Sequence, residues 1–245
     1  MEIVDALRTV HAEYCPEILA GTIEQTRRDI FKIGLVLRPG ASLCDVGGGL
    51  GAFGPACALL GMKVTVIDDF RDPVNLRVGE AGFNAHKKHG VKVISIDASK
   101  GLPLDQSYEV MTCFASIEHY HNSPKRMLHS MMDHLVPGGL FVLSVPNAVD
   151  LLKRIQTPLG RARWSPMEEW YEAQEFRGHV REPVVSDLRY LARDLGIADA
   201  QILGRNWIWK RSGITKSALE WVGWAIQLWP PLCAELFLIG HRPLG

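Results

Sequence analysis

The sequence predicts an α/β protein with a parallel sheet covered by helices on both faces. Short apolar runs alternate with helical stretches from about residue 42 to residue 147, which is the pattern of repeated strand–helix–strand units. Runs such as Val64–Ile67 and Val110–Phe114 are apolar throughout rather than alternating, as suits strands buried on both sides. Glycines at 47, 48, 49 and 51 follow the first run, marking a turn where backbone must come very close to something else.

The elements follow in order. Residues 17–37 read as a helix, because Ile18, Leu19, Ile23, Ile30, Ile33 and Leu37 share one stripe, and Pro39-Gly40 stops it. Ser42–Val46 is the first strand. A helix begins around 55–60, with Pro55 suited to its first turn. Lys63–Asp68 is the second strand, and a helix is expected over 74–89. Val91–Asp97 and Tyr108–Ser116 are the third and fourth strands, followed by a helix at about 124–135. Pro137-Gly138-Gly139 makes a turn into a fifth strand, Leu140–Asn147. Beyond residue 150 the chain becomes polar, with Arg and Pro among aromatics. A helix is expected over 186–195, with Ser186 as its N-cap and Gly196 near its end. Residues 200–209 and 234–241 read as two more strands. The segment 214–229 between them reads as a helix apolar on most faces.

A chain of 245 residues can bury a full core as one domain. We divide that domain, 1–245, into an N-terminal helical cap (1–38), a cofactor-binding core (39–146) and an acceptor-side lid with an insertion (147–230). The formal net charge is zero, which disfavours a nucleic-acid partner. Cysteines at 15, 44, 57, 113 and 233 form no CxxC pair and read as reduced, mostly buried small hydrophobes of a cytoplasmic protein. The N-terminus has acids where a signal peptide needs basic residues. Trp and Lys within 214–229 fit an interfacial helix that contacts a membrane peripherally, although plain burial is the favoured reading.

Gly49-Leu50-Gly51-Ala52-Phe53-Gly54 matches G-x-G-x-x-G after a strand and before a helix, a pattern of nucleotide-type sites. Asp68, at the end of the next strand and about 20 residues on, is placed to hold ribose hydroxyls. Asp45, just before the glycines, would repel a pyrophosphate but favour S-adenosylmethionine, a net cation with an ammonium and a sulfonium. Asp97 ends the third strand and is followed by Ala98. Strand ends of a parallel sheet face one crevice, so Asp45, Asp68 and Asp97 are expected to line a single pocket.

At these residues the sequence resembles class I S-adenosylmethionine-dependent methyltransferases of the type 11/12-like subgroup. The resemblance covers about residues 30–146: "LCDVGGGLG", "VTVID", "IDASKGLPLDQSYEVMTCFASIEHYHNSP" and "HLVPGGLFVLSVPN" stand in the family's motif order. It implies a Rossmann-like, seven-stranded, mostly parallel sheet with the last strand antiparallel. It also implies that Asp45, Gly47, Gly48 and Gly49 contact the methionine part of S-adenosyl-L-methionine. Asp68 or its neighbour Asp69 would hold the ribose, Asp97 and the Ala98 backbone the adenine, and Phe114 would line the pocket. Some members of the subgroup bind a divalent metal through an acid three residues before the Glu-His pair, together with that pair. Here that position is Ala115, and His121, His129 and His134 do not complete a ligand set, so no metal is expected.

His119, in Glu118-His119 after the fourth strand, is the candidate catalytic base, and His179 in the lid is a second candidate. Lys153, Arg154, Arg161 and Arg163 stand among Trp164, Trp170 and Tyr171, a mixture that suits an anionic or sugar-bearing acceptor. The expected reaction is methyl transfer to a small molecule, with an oxygen of a sugar, glycan-lipid or related metabolite as acceptor. Two alternatives are an NAD-dependent oxidoreductase or epimerase and a non-catalytic methyltransferase-fold partner subunit.

Overall fold

The computed structural model describes residues 1–14, 22–161, 165–207 and 226–244. Seven strands form one sheet: β1 (Ser42–Val46), β2 (Lys63–Asp68), β3 (Lys92–Ser95), β4 (Tyr108–Phe114), β5 (Leu135–Pro146), β6 (Ala198–Arg205) and β7 (Glu235–His241). Their spatial order is β3-β2-β1-β4-β5-β7-β6. The pairs β1–β2, β2–β3, β1–β4 and β4–β5 are parallel, and β7 runs antiparallel to both β5 and β6. This is the Rossmann-like α/β sheet with an antiparallel last strand that the sequence predicts.

The order reverses direction between β1 and β4. In open parallel sheets this is where a crevice opens beyond the carboxyl ends of the strands. Two apolar layers close the sheet. One packs α1 (Ile3–His11), α2 (Thr22–Val36), α3 (Phe53–Leu59) and α4 (Pro73–Lys88) on Leu43, Val64, Val110 and Phe237. The other packs α5 (Lys125–His134) and, after the short helices α6 (Leu151–Gln156) and α7 (Met167–Glu172), α8 (Val185–Asp194) on Cys44, Met111, Phe141 and Leu236. Cys44, Cys57, Cys113 and Cys233 are buried free thiols, as expected, and Cys15 lies outside the described residues.

The boundaries of β1 and β2 are those predicted, whereas β4 ends at Phe114 rather than Ser116, β6 spans Ala198–Arg205 rather than 200–209, and three other features differ. The third strand stops at Ser95, so Asp97 lies beyond it and caps a 3-10 turn at Ala98–Lys100. The expected Pro137-Gly138-Gly139 turn is a bulge inside β5: pairing with β4 jumps from Leu135 to Leu140, and Gly138 takes φ +73°. Val184, not Ser186, caps α8, and its N–H donates to Asp187 Oδ2 at 3.1 Å. The helix starting at Thr22 was expected from residue 17, but 15–21 lie outside the described residues, as does the stretch expected to be helical from 214 as far as 225. Among the described residues no helix is long and apolar enough to cross a membrane.

Candidate functional site

A cavity of about 680 Å³ opens at the switch point, a size typical of a small-molecule site. Its floor is the glycine turn, Gly47 to Ala52. One wall comes from the ends of β2 and β3, with Asp68, Asp69, Asp97, Ala98 and Ser99. The opposite wall is Ala115, Ser116 and His119 after β4.

Asp68 organises the turn. Its carboxylate accepts the Gly49 N–H at 3.1 Å and the Phe70 N–H at 2.6 Å, and Asn75 Nδ2 donates to it at 3.3 Å. Asn75 Oδ1 in turn accepts the Leu50 N–H at 2.9 Å. Burial raises the Asp68 carboxyl above its ordinary range, opposed by those backbone N–H groups. Both adjacent acids face the cavity. Asp69 is paired with Arg177 Nη1 at 2.8 Å, so its charge is already answered by the lid, whereas Asp68 meets only dipoles. Asp97 accepts the Ser99 hydroxyl at 2.6 Å, and that bond holds its carboxyl below the usual range.

Two residues expected in the wall are elsewhere. Asp45 does not line the cavity. It is the fourth of the five β1 residues, still inside the ladder, and sits behind the turn, where it accepts the Thr112 hydroxyl at 2.6 Å. A Cβ on Gly48 would come within 2.3 Å of its Oδ2. Phe114 is core rather than wall. It meets Phe53 edge-on at 5.3 Å, and Lys32 Nζ lies 4.6 Å from its ring centre. Ala115 and Ser116, one and two residues later, reach the cavity instead, Ala115 with a strained φ of +47°.

Burial pushes the Asp45 carboxyl up to about 7, against the Thr112 hydrogen bond and Lys32. The folded chain therefore binds a proton that the unfolded chain releases near its ordinary carboxyl pKa. Stability from this group falls as pH rises from that range through about 7, with a slope of at most ~1.4 kcal/mol per pH unit. In Asp45→Asn, urea unfolding at pH 5 and pH 8 is expected to give stabilities closer together than in the wild type. An unchanged difference would show that Asp45 does not carry it.

The sequence reading missed the residues that close the cavity from above. His11, Tyr14, Gln25 and Asp29 come from the N-terminal helices and the turn after α1, and Glu175, Phe176 and Arg177 from the lid. Tyr14 donates its hydroxyl to Leu50 O at 2.8 Å, tying the cap to the glycine turn. Of the basic lid residues expected at an acceptor site, Lys153, Arg154 and Arg161 are not in the wall. Lys153 bonds Glu182 and Asn147 O, and Arg154 bonds Val149 O and Pro231 O. Trp170 and Tyr171 face solvent, and Arg163 and Trp164 lie outside the described residues.

His119 does reach the cavity. Its Nδ1 lies 2.7 Å from Arg177 O. A carbonyl only accepts, so Nδ1 carries the hydrogen and Nε2 keeps its lone pair. Burial lowers its pKa from the ordinary value. Glu118 beside it is buried, and burial raises its carboxyl to about 7.

The residues present fit S-adenosylmethionine. Gly49 and Leu50 already donate their amide N–H groups to Asp68 and Asn75, and Gly47 donates its own to Ile67 O at 2.7 Å. These three N–H groups are thus engaged rather than presented to a phosphate. A Cβ on Gly51 would meet nothing within 4 Å, so the turn presents open space there. The acidic wall suits a cationic nucleoside.

Comparison with known proteins agrees. A family model described as "Methyltransferase domain" matches residues 18–202. No curated protein matches the chain by sequence. Among solved structures, the chain is similar to a methyltransferase of Thermotoga maritima described as a possible histamine N-methyltransferase. That likeness has a TM-score of 0.58 and 16% identity, over 96% of this chain and 99% of that one. It is also similar to phosphoethanolamine N-methyltransferase 2 of Haemonchus contortus, solved with S-adenosyl-L-methionine, at TM-score 0.56 and 15% identity over 89% of this chain and 52% of that one. Magnesium protoporphyrin IX methyltransferase of Synechocystis PCC 6803, solved with bound SAH, gives 0.52 and 16% over 92% and 85%. By the family match over residues 18–202, on a sheet of the same topology, the chain belongs to the methyltransferase domain family and has the fold of S-adenosylmethionine-dependent methyltransferases.

Proposed function

We propose that this chain transfers a methyl group from S-adenosyl-L-methionine to a small-molecule acceptor, and that the acceptor atom is an oxygen. One observation carries the cofactor assignment: the glycine turn's N–H groups are engaged by Asp68 and Asn75, while acids from two strand ends face the same cavity. The cofactor supplies an already activated methyl group on sulfur. The chain's own part is to hold the ribose side against Asp68, the base side against Asp97 and Ala98, and the acceptor against the Ser116–His119 wall. Alignment and exclusion of water account for most of the acceleration such a site needs.

The oxygen assignment rests on His119. A neutral imidazole whose Nδ1 hydrogen is held by Arg177 O can take the proton of a hydroxyl at Nε2 as it is methylated. A sugar or glycan-lipid hydroxyl remains the acceptor class we favour. The acceptors named for the similar structures, histamine, phosphoethanolamine and magnesium protoporphyrin, are those proteins' own.

Calorimetry with S-adenosylmethionine, its demethylated product and NAD tests the cofactor. Saturable binding of the first two and none of NAD is expected, and binding of NAD alone would overturn the reading. Once an acceptor is in hand, His119→Ala is expected to lower kcat by about 10²–10⁴-fold with the cofactor Kd changed by less than about twofold. A normal kcat would remove the base role.

A further inference from the structure

Among the described residues, one buried acid of the cavity wall has neither an ion pair nor a backbone donor. Asp29, on α2, is 2% exposed yet lines the cavity. Gln25, one turn earlier on the same helix face, donates Nε2 to its Oδ1 at 2.9 Å. Arg28 and Lys32 on the same helix are engaged elsewhere. Arg28 Nε lies 3.7 Å from Glu235 Oε2, and Lys32 Nζ stands over the Phe114 ring. Burial raises the Asp29 carboxyl to about 6, opposed by Lys32, the Gln25 hydrogen bond and Arg28. A carboxylate held in a dry wall without its own cation is costly.

The other acids of the wall already have partners. Asp69 and Glu175 both bond Arg177. Asp72 caps α4 through the Val74 N–H. Asp97 accepts the Ser99 hydroxyl and lies 3.4 Å from Lys100 Nζ, and Asp68 accepts the Gly49 and Phe70 N–H groups. Asp45, which the sequence offers to the cationic end of the cofactor, is held in the β1 ladder and does not reach the cavity. Asp29 comes to the same turn from the cap. Its charge acts on both Tyr14 and Asp45. Tyr14 donates to Leu50 O within the turn, and Asp45 Oδ2 packs against Gly48.

We propose that Asp29 is the counter-ion for the α-ammonium group in the methionine part of S-adenosylmethionine, the duty that the sequence expects of Asp45. The assignment rests on the methyltransferase reading. Asp68 and Asp97 mark the nucleoside end of the cavity, which leaves the glycine turn near Asp29 to the methionine part. The ammonium is the cation that the cofactor shares with its demethylated product, whereas the sulfonium belongs to the cofactor alone. A ligand held in this way bridges the cap and the sheet, beside the existing bond from Tyr14 to Leu50 O.

The test is calorimetry on the full chain with four ligands: S-adenosylmethionine, S-adenosylhomocysteine, the analogue of the latter that lacks its amino group, and methylthioadenosine, which lacks the whole amino-acid end. Asp29→Asn keeps the side-chain shape and an acceptor for Gln25 while removing a buried charge, so it is expected to fold. It should weaken the first two ligands by about 10–100-fold and change the other two by less than about threefold. In the wild type, loss of the amino group from the ligand should cost a similar 10–100-fold, about as much as the substitution. Undiminished binding of S-adenosylhomocysteine by Asp29→Asn would overturn the assignment. So would a loss confined to S-adenosylmethionine, which would put the carboxylate beside the sulfonium, or an equal loss of methylthioadenosine, which would make Asp29 a support for the cavity's shape. Should the variant not fold, the wild type still decides: equal affinity for S-adenosylhomocysteine and its desamino analogue overturns the assignment. Each of these results leaves the proposed function standing, whereas a wild type that binds none of the four ligands overturns both.

Discussion

Asp68→Ala is expected to raise the Kd for S-adenosylmethionine by about 100-fold or more while leaving a folded protein. The carboxylate has two duties. It is placed where the family pattern puts the ribose ligand, and it accepts N–H groups from Gly49 and Phe70 as well as the Asn75 amide. A hydrogen bond to a charged group is worth roughly 1.5–3 kcal/mol, so losing a bidentate grip on a ribose alone approaches the stated factor. Releasing the Gly49 N–H loosens the turn that shapes the cavity floor, which adds to it. Asp68→Asn separates the two duties. It keeps an acceptor oxygen for the turn but loses the charge, and is expected to fall between wild type and Asp68→Ala in calorimetry. An Asp68→Ala protein binding with wild-type affinity would remove Asp68 from the site and with it the geometric basis of the cofactor assignment.

What the sequence revealed and what it hid divide along one physical line. Strands buried on both faces leave continuous apolar runs, and so β1 and β2 were readable to the residue. Whether a polar residue near a strand end reaches the crevice depends on where the hydrogen-bonded ladder stops, which composition does not mark. Asp45 pairs in register with Val66 and Thr112, so it is held in the sheet and buried. Phe114 is still paired with Ser144 and turns to the helix-covered face. Asp68 ends its ladder, and Asp97 and Ala115 lie past theirs, and all three face the cavity.

The cover was illegible for a different reason. Tyr14, Asp29 and Arg177 are polar residues in ordinary helical or loop surroundings, and nothing local distinguishes them from solvated surface. Only long-range contacts such as Tyr14 to Leu50 O and Arg177 to Asp69 give them a place. His179, which the sequence offers as a second base candidate from the lid, stands beside His119 only in the folded chain, with ring centres 4.9 Å apart.

The glycine turn offers the sharpest separation between folding and binding, because its glycines are required for different reasons. Gly47 sits at φ +71°, and a Cβ there would fall 2.1 Å from Ser116 Oγ, across the switch point. The left-handed backbone costs an L-residue roughly 1–2 kcal/mol, and overpacking a filled space typically costs about 1–3 kcal/mol more. Gly47→Ala is therefore expected to lose about 2–5 kcal/mol of unfolding free energy, a large share of a domain's usual 5–15 kcal/mol, whether or not cofactor is present. Gly51 carries no such constraint, since its Cβ would meet no protein atom within 4 Å, yet it lines the cavity. Gly51→Ala should unfold in urea within about 1 kcal/mol of wild type, and Gly51→Val should fold while binding S-adenosylmethionine less tightly, because its added methyl groups occupy the open space. Thermal and urea unfolding on the three variants, paired with calorimetry on those that fold, decides the matter. If Gly47→Ala kept wild-type stability, the close packing of the turn against Ser116 would be wrong. If Gly51→Val bound cofactor normally, the open space above Gly51 would not be where the ligand rests.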